Sequence, residues 1–307
     1  MKRRDFIDKT VKAGFIAGSA LSLGNYSQLF GYNSILTPEE YQLAAIRGGE
    51  PDIMFDEAIK ALGGMTNFVK KGQTVVVKPN IGWDVPPERA ANTNPALVSR
   101  IIKHCFEAGA KDVYIFDNTC DNWKRAYANS GIEKAAKDAK AKVVSGATES
   151  YYQKVTIAKG KKLKEAKVHE LILNCDVFIN VPVLKHHGSA DLTIAMKNLM
   201  GIVWDRGYWH RNDLHQCIAD FTSYRKPDLN VVDAYNVMKR NGPRGVSKAD
   251  VVNMKSLIVS SDIVAADSAA TKLFSQEPEK IAHIRIANEM KLGKMDLEKL
   301  NIYRKTI

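Results

Sequence analysis

The sequence predicts an α/β fold: a largely parallel sheet flanked by helices, with a small β excursion near residues 150–165. Three observations predict it. From about Tyr41 onward, short apolar runs alternate with helical patterns, the signature of successive β-α-β units. Four of the apolar runs end in polar residues, as strands do when their carboxyl ends form a common rim. The 307 residues are 45% apolar, enough for a large core, and no linker forces a split.

In chain order, strands are expected at Gln42–Ile46, Thr74–Lys78, Asp112–Phe116, Lys142–Val144, Val177–Leu184, Asn230–Asp233 and Ser256–Ser260. Helices are expected at Phe55–Val69, Asn94–Ala108, Asn122–Ala139, Leu192–Val203, Asp213–Tyr224, Ile263–Phe274 and Ile281–Met290. In the second helix Leu97, Ile101, Cys105 and Ala108 recur at helical spacing, and Gly109 stops it. Asp262 reads as the N-cap of the helix that begins at Ile263. Val155–Glu165, with Gly160 flanked by lysines, reads as a hairpin outside the main sheet. There is no internal repeat and no low-complexity segment.

The formal net charge is +11, of which residues 1–32 supply +3. The remainder reads as a solvated basic surface. The Lys-rich stretch Lys154–Lys167 has no helix-turn-helix spacing and no nucleic-acid fold signature, so no nucleic-acid partner is expected. Cys105, Cys120, Cys175 and Cys217 contain no Cys-x-x-Cys pair, so no intrinsic iron–sulfur cluster is expected. Cys105 on a helical pattern and Cys175 beside a strand read as buried free thiols as readily as disulfide partners.

The N-terminus resembles a twin-arginine export signal. Residues 2–8 read Lys-Arg-Arg-Asp-Phe-Ile-Asp, followed by the uncharged Gly/Ala-rich segment Ala13–Gly24. The organisation expected is a signal segment at 1–32 and a single α/β domain at 33–307, in the periplasm or exported. Membrane contact is expected only through an uncleaved signal, since the segment is short of the ~20 apolar residues of a span. Twin-arginine export characteristically carries folded proteins, often with an inserted cofactor, which this resemblance extends to the chain as an expectation.

The densest cluster of chemistry runs from Asn180 to Gly201. Lys185, His186 and His187 follow the apolar run Val177–Leu184, Gly188 frees a turn, and Lys197 and Asn198 follow on a helix. Lys78-Pro79-Asn80, Asp117-Asn118-Thr119 and Asp233 close three other strands. Lys78, Lys185 and Lys197, beside Asn80 and Asn198, form a candidate clamp for phosphate or carboxylate. His187, His210 and His215, with Asp220 or Asp233, form a candidate metal site or acid–base set. His186 ranks last, because adjacent side chains on an extended segment point oppositely. There is no Walker loop, no Gly-x-Gly-x-x-Gly and no nucleophile elbow around Ser189 or Ser260, which leaves nucleotide-fingerprint and serine-hydrolase chemistry unsupported.

The chain resembles the domain-of-unknown-function family 362. The carrying segments are Val-Val-Val-Lys-Pro-Asn-Ile-Gly at 75–82, Thr-Asn-Pro at 93–95, Asn-Val-Pro-Val-Leu-Lys-His-His at 180–187, Thr-Ile-Ala-Met-Lys-Asn-Leu-Met-Gly at 193–201, Asp-Leu-Asn-Val-Val-Asp-Ala at 228–234, Asn-Gly-Pro at 241–243 and Ser-Asp-Ile-Val-Ala-Ala-Asp at 261–267. The family pattern maps onto Pro182, Lys185, His187, Thr193, Lys197, Asn198 and His210. Many relatives append a cysteine-rich ferredoxin-like domain, whose cysteines this sequence lacks, so the resemblance implies a separate ferredoxin-like or redox partner rather than intrinsic electron transfer.

These readings converge on an exported enzyme acting on an anionic small molecule at the strand carboxyl ends. His187, Lys185 and His210 are its catalytic candidates, and Lys78, Asn80, Lys197 and Asn198 hold substrate or cofactor. The expected cofactor is a divalent metal on His187, His210 and His215. The alternatives are a non-catalytic anion-binding protein and an accessory or maturation partner of a periplasmic iron–sulfur redox complex.

Overall fold

The computed structural model describes residue 37 and residues 40–307; the signal segment read at 1–32 lies outside them. Twelve strands occur among the described residues: β1 (Leu43–Arg47), β2 (Thr74–Pro79), β3 (Asp112–Ile115), β4 (Lys142–Val143), β5 (Tyr152–Thr156), β6 (Glu165–His169), β7 (Val177–Val181), β8 (Val183–His187), β9 (Asp191–Thr193), β10 (Leu229–Met238), β11 (Val251–Ser260) and β12 (Ile302–Thr306). Ten of them form one sheet in the order β12-β1-β11-β10-β7-β2-β3-β4, with β8 beside β10 and β9 beside β8. The run β10-β7-β2-β3-β4 is parallel throughout, whereas β11 runs antiparallel to β1 and β10. Parallel pairing forces helical crossovers, so both faces of the central strands are covered.

The side-chain period of two divides those strands between two apolar layers. Val75 and Val77 of β2 join the layer under the helices Pro51–Ala61, Pro95–Glu107 and Ile132–Asp138. Val76 faces the opposite layer, beneath the helices Leu214–Tyr224, Ile263–Leu273 and Ala282–Glu289. Each of these valines is fully buried, which favours the folded state by ~1.5–3 kcal/mol apiece. The N-caps agree with the sequence: Asn94 accepts from the amide of Ala96, and Asp262 accepts from Val264 and Ala265.

Several expected elements are divided. The strand Val177–Leu184 is two strands, because Pro182 has no N–H to give to a ladder; β8 then carries Lys185, His186 and His187 within a strand rather than in a loop beyond one. The helix expected over Leu192–Val203 is β9, one turn at Ala195–Asn198 and a 3-10 turn at Leu199–Ile202. The helix expected over Asn122–Ala139 breaks at Gly131, whose φ of +74° is left-handed. The first expected helix, Phe55–Val69, is placed at Pro51–Ala61, with proline at its start. The edge strand β12 escapes detection because only Ile302 of its residues is buried.

The excursion is β5 paired with β6 as a two-stranded antiparallel sheet. The loop between them is pinned by Asp220, from the helix Leu214–Tyr224, which accepts from the amides of Lys161, Lys162 and Leu163 at 2.8, 2.7 and 2.9 Å. This corrects the sequence reading of Asp220 as a site carboxylate: the side chain is fully buried, Oδ2 is committed to these three amides, and Oδ1 accepts from Gln216 Nε2 at 2.8 Å. Asp220→Ala leaves three amides without their acceptor, and urea unfolding should show a loss of about 3 kcal/mol, with Asp220→Asn in between. A loss below about 1 kcal/mol for the alanine variant would refute this role.

Candidate functional site

A single register row of polar residues crosses the apolar sheet. Lys78 on β2 lies opposite Asn180 on β7, Asn180 opposite Asn230 on β10, and Asn230 opposite Ser260 on β11. All four are fully buried. The row is joined by hydrogen bonds: Asn198 Nδ2 donates to Asn180 Oδ1 (2.8 Å), Asn180 Nδ2 to Asn230 Oδ1 (3.1 Å) and Asn230 Nδ2 to the Ser260 carbonyl (3.3 Å). Asn180 Nδ2 also donates to the Ala195 carbonyl at 3.0 Å, so the row seats the turn that carries Lys197 and Asn198. Asp267 holds the same turn from the other side, accepting from the amides of Ala195 (2.6 Å) and Met196 (3.1 Å); burial raises its carboxyl to about 7.

Lys78 ends the row. Its ammonium donates to the Pro79 carbonyl (2.8 Å) and Asn198 Oδ1 (2.9 Å) and pairs with Asp117 Oδ1 (3.0 Å). An ammonium has three N–H groups, and all three are engaged. Asp117 in turn accepts at Oδ2 from the amide of Ile81 at 2.6 Å, which fastens the β2 end to the β3 end. Gly201 closes over this pair. A methyl group there would stand 1.8 Å from Asp117 Oδ1 and 2.6 Å from Lys78 Nζ, so only glycine fits.

The three lysines expected to act together therefore divide. Lys78 is saturated and structural. Lys185 Nζ donates to the Ala91 carbonyl and to Asn80 Oδ1 (3.4 Å), which leaves one N–H uncommitted. Lys197 is only 9% exposed, yet its ammonium makes no hydrogen bond or ion pair among the described residues. Burial pushes Lys185 down to about 7 and Lys197 down to about 8; each is further lowered by neighbouring cations, Lys197 and Lys78 acting on Lys185, Arg206 and Lys78 acting on Lys197. Asn80 Nδ2 donates to Asn198 Oδ1 (3.1 Å), so Asn80 and Asn198 link the lysines to one another rather than standing free for a ligand.

Two residues not singled out in the sequence belong to this cluster. Arg206 reaches the β3 end, donating to the carbonyls of Asn118 (2.7 Å) and Thr119 (2.8 Å), with Cys120 Sγ 3.7 Å away. Cys120 is exposed and unpaired, and it acts electrostatically on Lys78, Lys185 and Lys197. Its position directly after Asp117-Asn118-Thr119 was the available signal. Cys105 is a buried free thiol, one of the two readings the sequence left open; Cys175 is a free thiol but only half-buried, and Cys217 is buried.

The expected set of three histidines is not assembled as a metal centre. His187 lies on the same face of β8 as Lys185, is 8% exposed, and is pushed down to about 2 by burial, then by Lys197 and Lys185. His210, on the short helix Gly207–Arg211, keeps one side exposed; burial of the rest, with Lys197 and Arg206, lowers it. His215 instead stacks on His283 (Nδ1 to Nδ1 3.2 Å), with Asp191 4.0 Å from its Nε2. Among the described residues no three His, Cys, Asp or Glu side chains are grouped so as to hold a metal ion. Asp233, the other expected carboxylate, accepts from the amides of Asn94 (2.7 Å) and Tyr235 (3.0 Å); it joins loop to strand, and burial raises it to about 6. His186 accepts at Nδ1 from the amide of Gly242, away from the lysines.

A surface groove of about 1220 Å³ lies elsewhere, over Lys226, Asp262, Lys272 and Lys294.

A family model described as domain of unknown function (DUF362) matches residues 75–272. The thylakoid-associated protein sll1697 of Synechocystis sp. is 27% identical over 232 residues, spanning 73% of this chain and 70% of that protein. Among solved structures, the lactate racemase apoprotein from Thermoanaerobacterium thermosaccharolyticum superposes with a TM-score of 0.49 at 13% identity, covering 82% of this chain and 62% of that one. A Thermotoga maritima protein gives 0.48 at 12%, covering 78% and 60%. The chain thus spans less than two thirds of the length of either solved structure.

Lys78→Met strands the Asp117 carboxylate without its cation, and thermal and urea unfolding should show a loss of about 3–5 kcal/mol; Gly201→Ala, which forces the pair apart, should lose a similar amount, and wild-type stability in both variants would contradict the central role of the pair. Lys185 titrates lower in the folded chain than its ordinary unfolded value near 10.4. From about pH 7 to 10 the unfolded state therefore binds more protons, and stability relative to Lys185→Met should rise with pH over that window. A difference that is flat or falls over it would show that the buried amine is not what titrates.

Proposed function

This chain belongs to the DUF362 family, and from that premise we propose that it binds an anionic small molecule, substrate or cofactor, at the carboxyl ends of β2, β3, β7 and β8, with Lys197 as the principal ligand-binding cation. The observation that carries this reading is Lys197, a nine-tenths buried residue whose ammonium has no hydrogen-bond or ion-pair partner among the described residues and stands near Lys185, Lys78 and Arg206. A buried cation without a counterion is costly, and an incoming carboxylate or phosphate removes that cost. Among the described residues, Asp117 is the carboxylate that acts on Lys78 and Lys185, and Lys78 already neutralises it.

The same geometry favours an enzyme over a passive binding protein. Lys185 is held near neutrality beside the anion-binding cation, which suits an amine that gives and takes a proton at a substrate carbon or oxygen. His187 and His210 complete the rim. Among the described residues, three His, Cys, Asp or Glu side chains do not gather around a common point. The arginine pair at residues 3–4 supports export of the folded chain to the periplasm, where a separate redox protein is the partner proposed by the family resemblance.

Titration calorimetry of the full chain with inorganic phosphate and sulfate tests the reading. Lys197→Met should lower affinity at least tenfold without changing the circular dichroism spectrum. Sulfate keeps its charge across pH 6–9, so its affinity should fall as Lys185 and Lys197 lose protons over that range. Equal binding by the wild type and Lys197→Met, or affinity that rises with pH, would sink the proposal.

A further inference from the structure

The hairpin between β8 and β9 fixes one ring in the cluster. The backbone amides of Ser189 and Ala190 both donate to His187 Nδ1, each at 3.2 Å, and Ser189 Oγ stands 3.4 Å from the same nitrogen. A backbone N–H can only donate. Nδ1 is thereby held as the bare, accepting nitrogen, and the proton of the neutral ring sits on Nε2.

Nε2 makes no hydrogen bond or ion pair among the described residues. The ring is largely buried, and the charges acting on it are Lys197, Lys185, His210 and His186; Asp191 lies opposite His187 in the β8–β9 register but is exposed. The surrounding cations oppose a second proton on the ring, and no acceptor from the fold takes the proton it has. A metal on Nε2 would require the ring proton to move to Nδ1, against two amides that point their hydrogens there, or an imidazolate.

Resting on the anion reading above, we infer that His187 is a neutral hydrogen-bond donor, through Nε2–H, to an oxygen of the same anionic group that Lys197 holds. A carboxylate, phosphate or sulfate can give a separate acceptor oxygen to each donor. A carboxamide has one oxygen and no charge to offset the ammonium, so it should bind more weakly. A neutral imidazole that donates rather than protonates polarises a substrate oxygen without adding a charge to an already cationic site.

The test is nitrogen-15 spectroscopy of the full chain labelled at histidine and lysine, with His187 assigned by its loss in His187→Gln and Lys197 by its loss in Lys197→Met. Nδ1 should appear unprotonated and Nε2 protonated from pH 5.5 to 8.5, and added sulfate should shift both His187 Nε2 and Lys197 Nζ. An Nδ1–H ring, or protonation within that range, overturns the inference. A sulfate shift at Lys197 without one at His187 overturns it and leaves the anion reading standing; a shift at neither overturns both. His187→Gln places an amide N–H near the ring Nε2 and should bind sulfate within about threefold of wild type, whereas His187→Phe should lose about tenfold. Wild-type affinity in His187→Phe also overturns the inference.

Discussion

The buried pair of Lys78 and Asp117 is the constraint from which the site follows. It sits where two parallel strands end, in a region with little water to solvate either charge, and at 3.0 Å each neutralises the other. Its remaining donors go to the carbonyl of the next residue, Pro79, and to Asn198 Oδ1, 120 residues away, so the pair behaves as a junction. It joins the ends of β2 and β3 and, through Asn198, the turn Ala195–Asn198. Gly201 closes the lid, because a side chain there would occupy the space of the pair itself.

From this junction the asparagine row explains how so polar a set of side chains is accommodated inside a sheet of valines and isoleucines. Each amide both donates and accepts along one register line, so partners replace the lost hydration. A network of this kind tolerates little displacement, since one missing member strands its neighbours. That rigidity is useful to a binding site. The turn bearing Lys197 is held by Asn180 on one side and by Asp267 on the other, and Lys197 is left with all of its donors to spare.

The residues that the sequence grouped are brought together only in part by the fold. Lys78, Asn80, Lys185, His187, Lys197 and Asn198 do come together with His210 nearby, because they close parallel strands or the segment that follows, and parallel strands share an edge. His215 was included on proximity to His210 along the chain, yet its partner is His283, 68 residues away. Asp220 and Asp233 were read as candidate site carboxylates, although one oxygen of each serves backbone amides far off in sequence and the other a neighbour on its own element. Arg206 and Cys120 were not assigned to the site because neither lies in a motif; they reach the cluster by folding of the segments after β3 and after the 3-10 turn Leu199–Ile202.

What the sequence by itself determined is the alternation of apolar runs and helices, hence a parallel sheet with a polar edge, and the residue types available there. Periodicity is local, and local geometry decides which way a strand's side chains point. What only the tertiary structure decided is the state of each group: that Lys78 is spent on Asp117 and Asn198, that Lys185 keeps one donor, that Lys197 keeps all of its own, and which nitrogen of His187 carries the proton. Hydrogen-bond capacity is consumed by acceptors that arrive from elsewhere in the chain, 120 residues away in the case of Lys78 and Asn198. No reading of adjacent residues counts them.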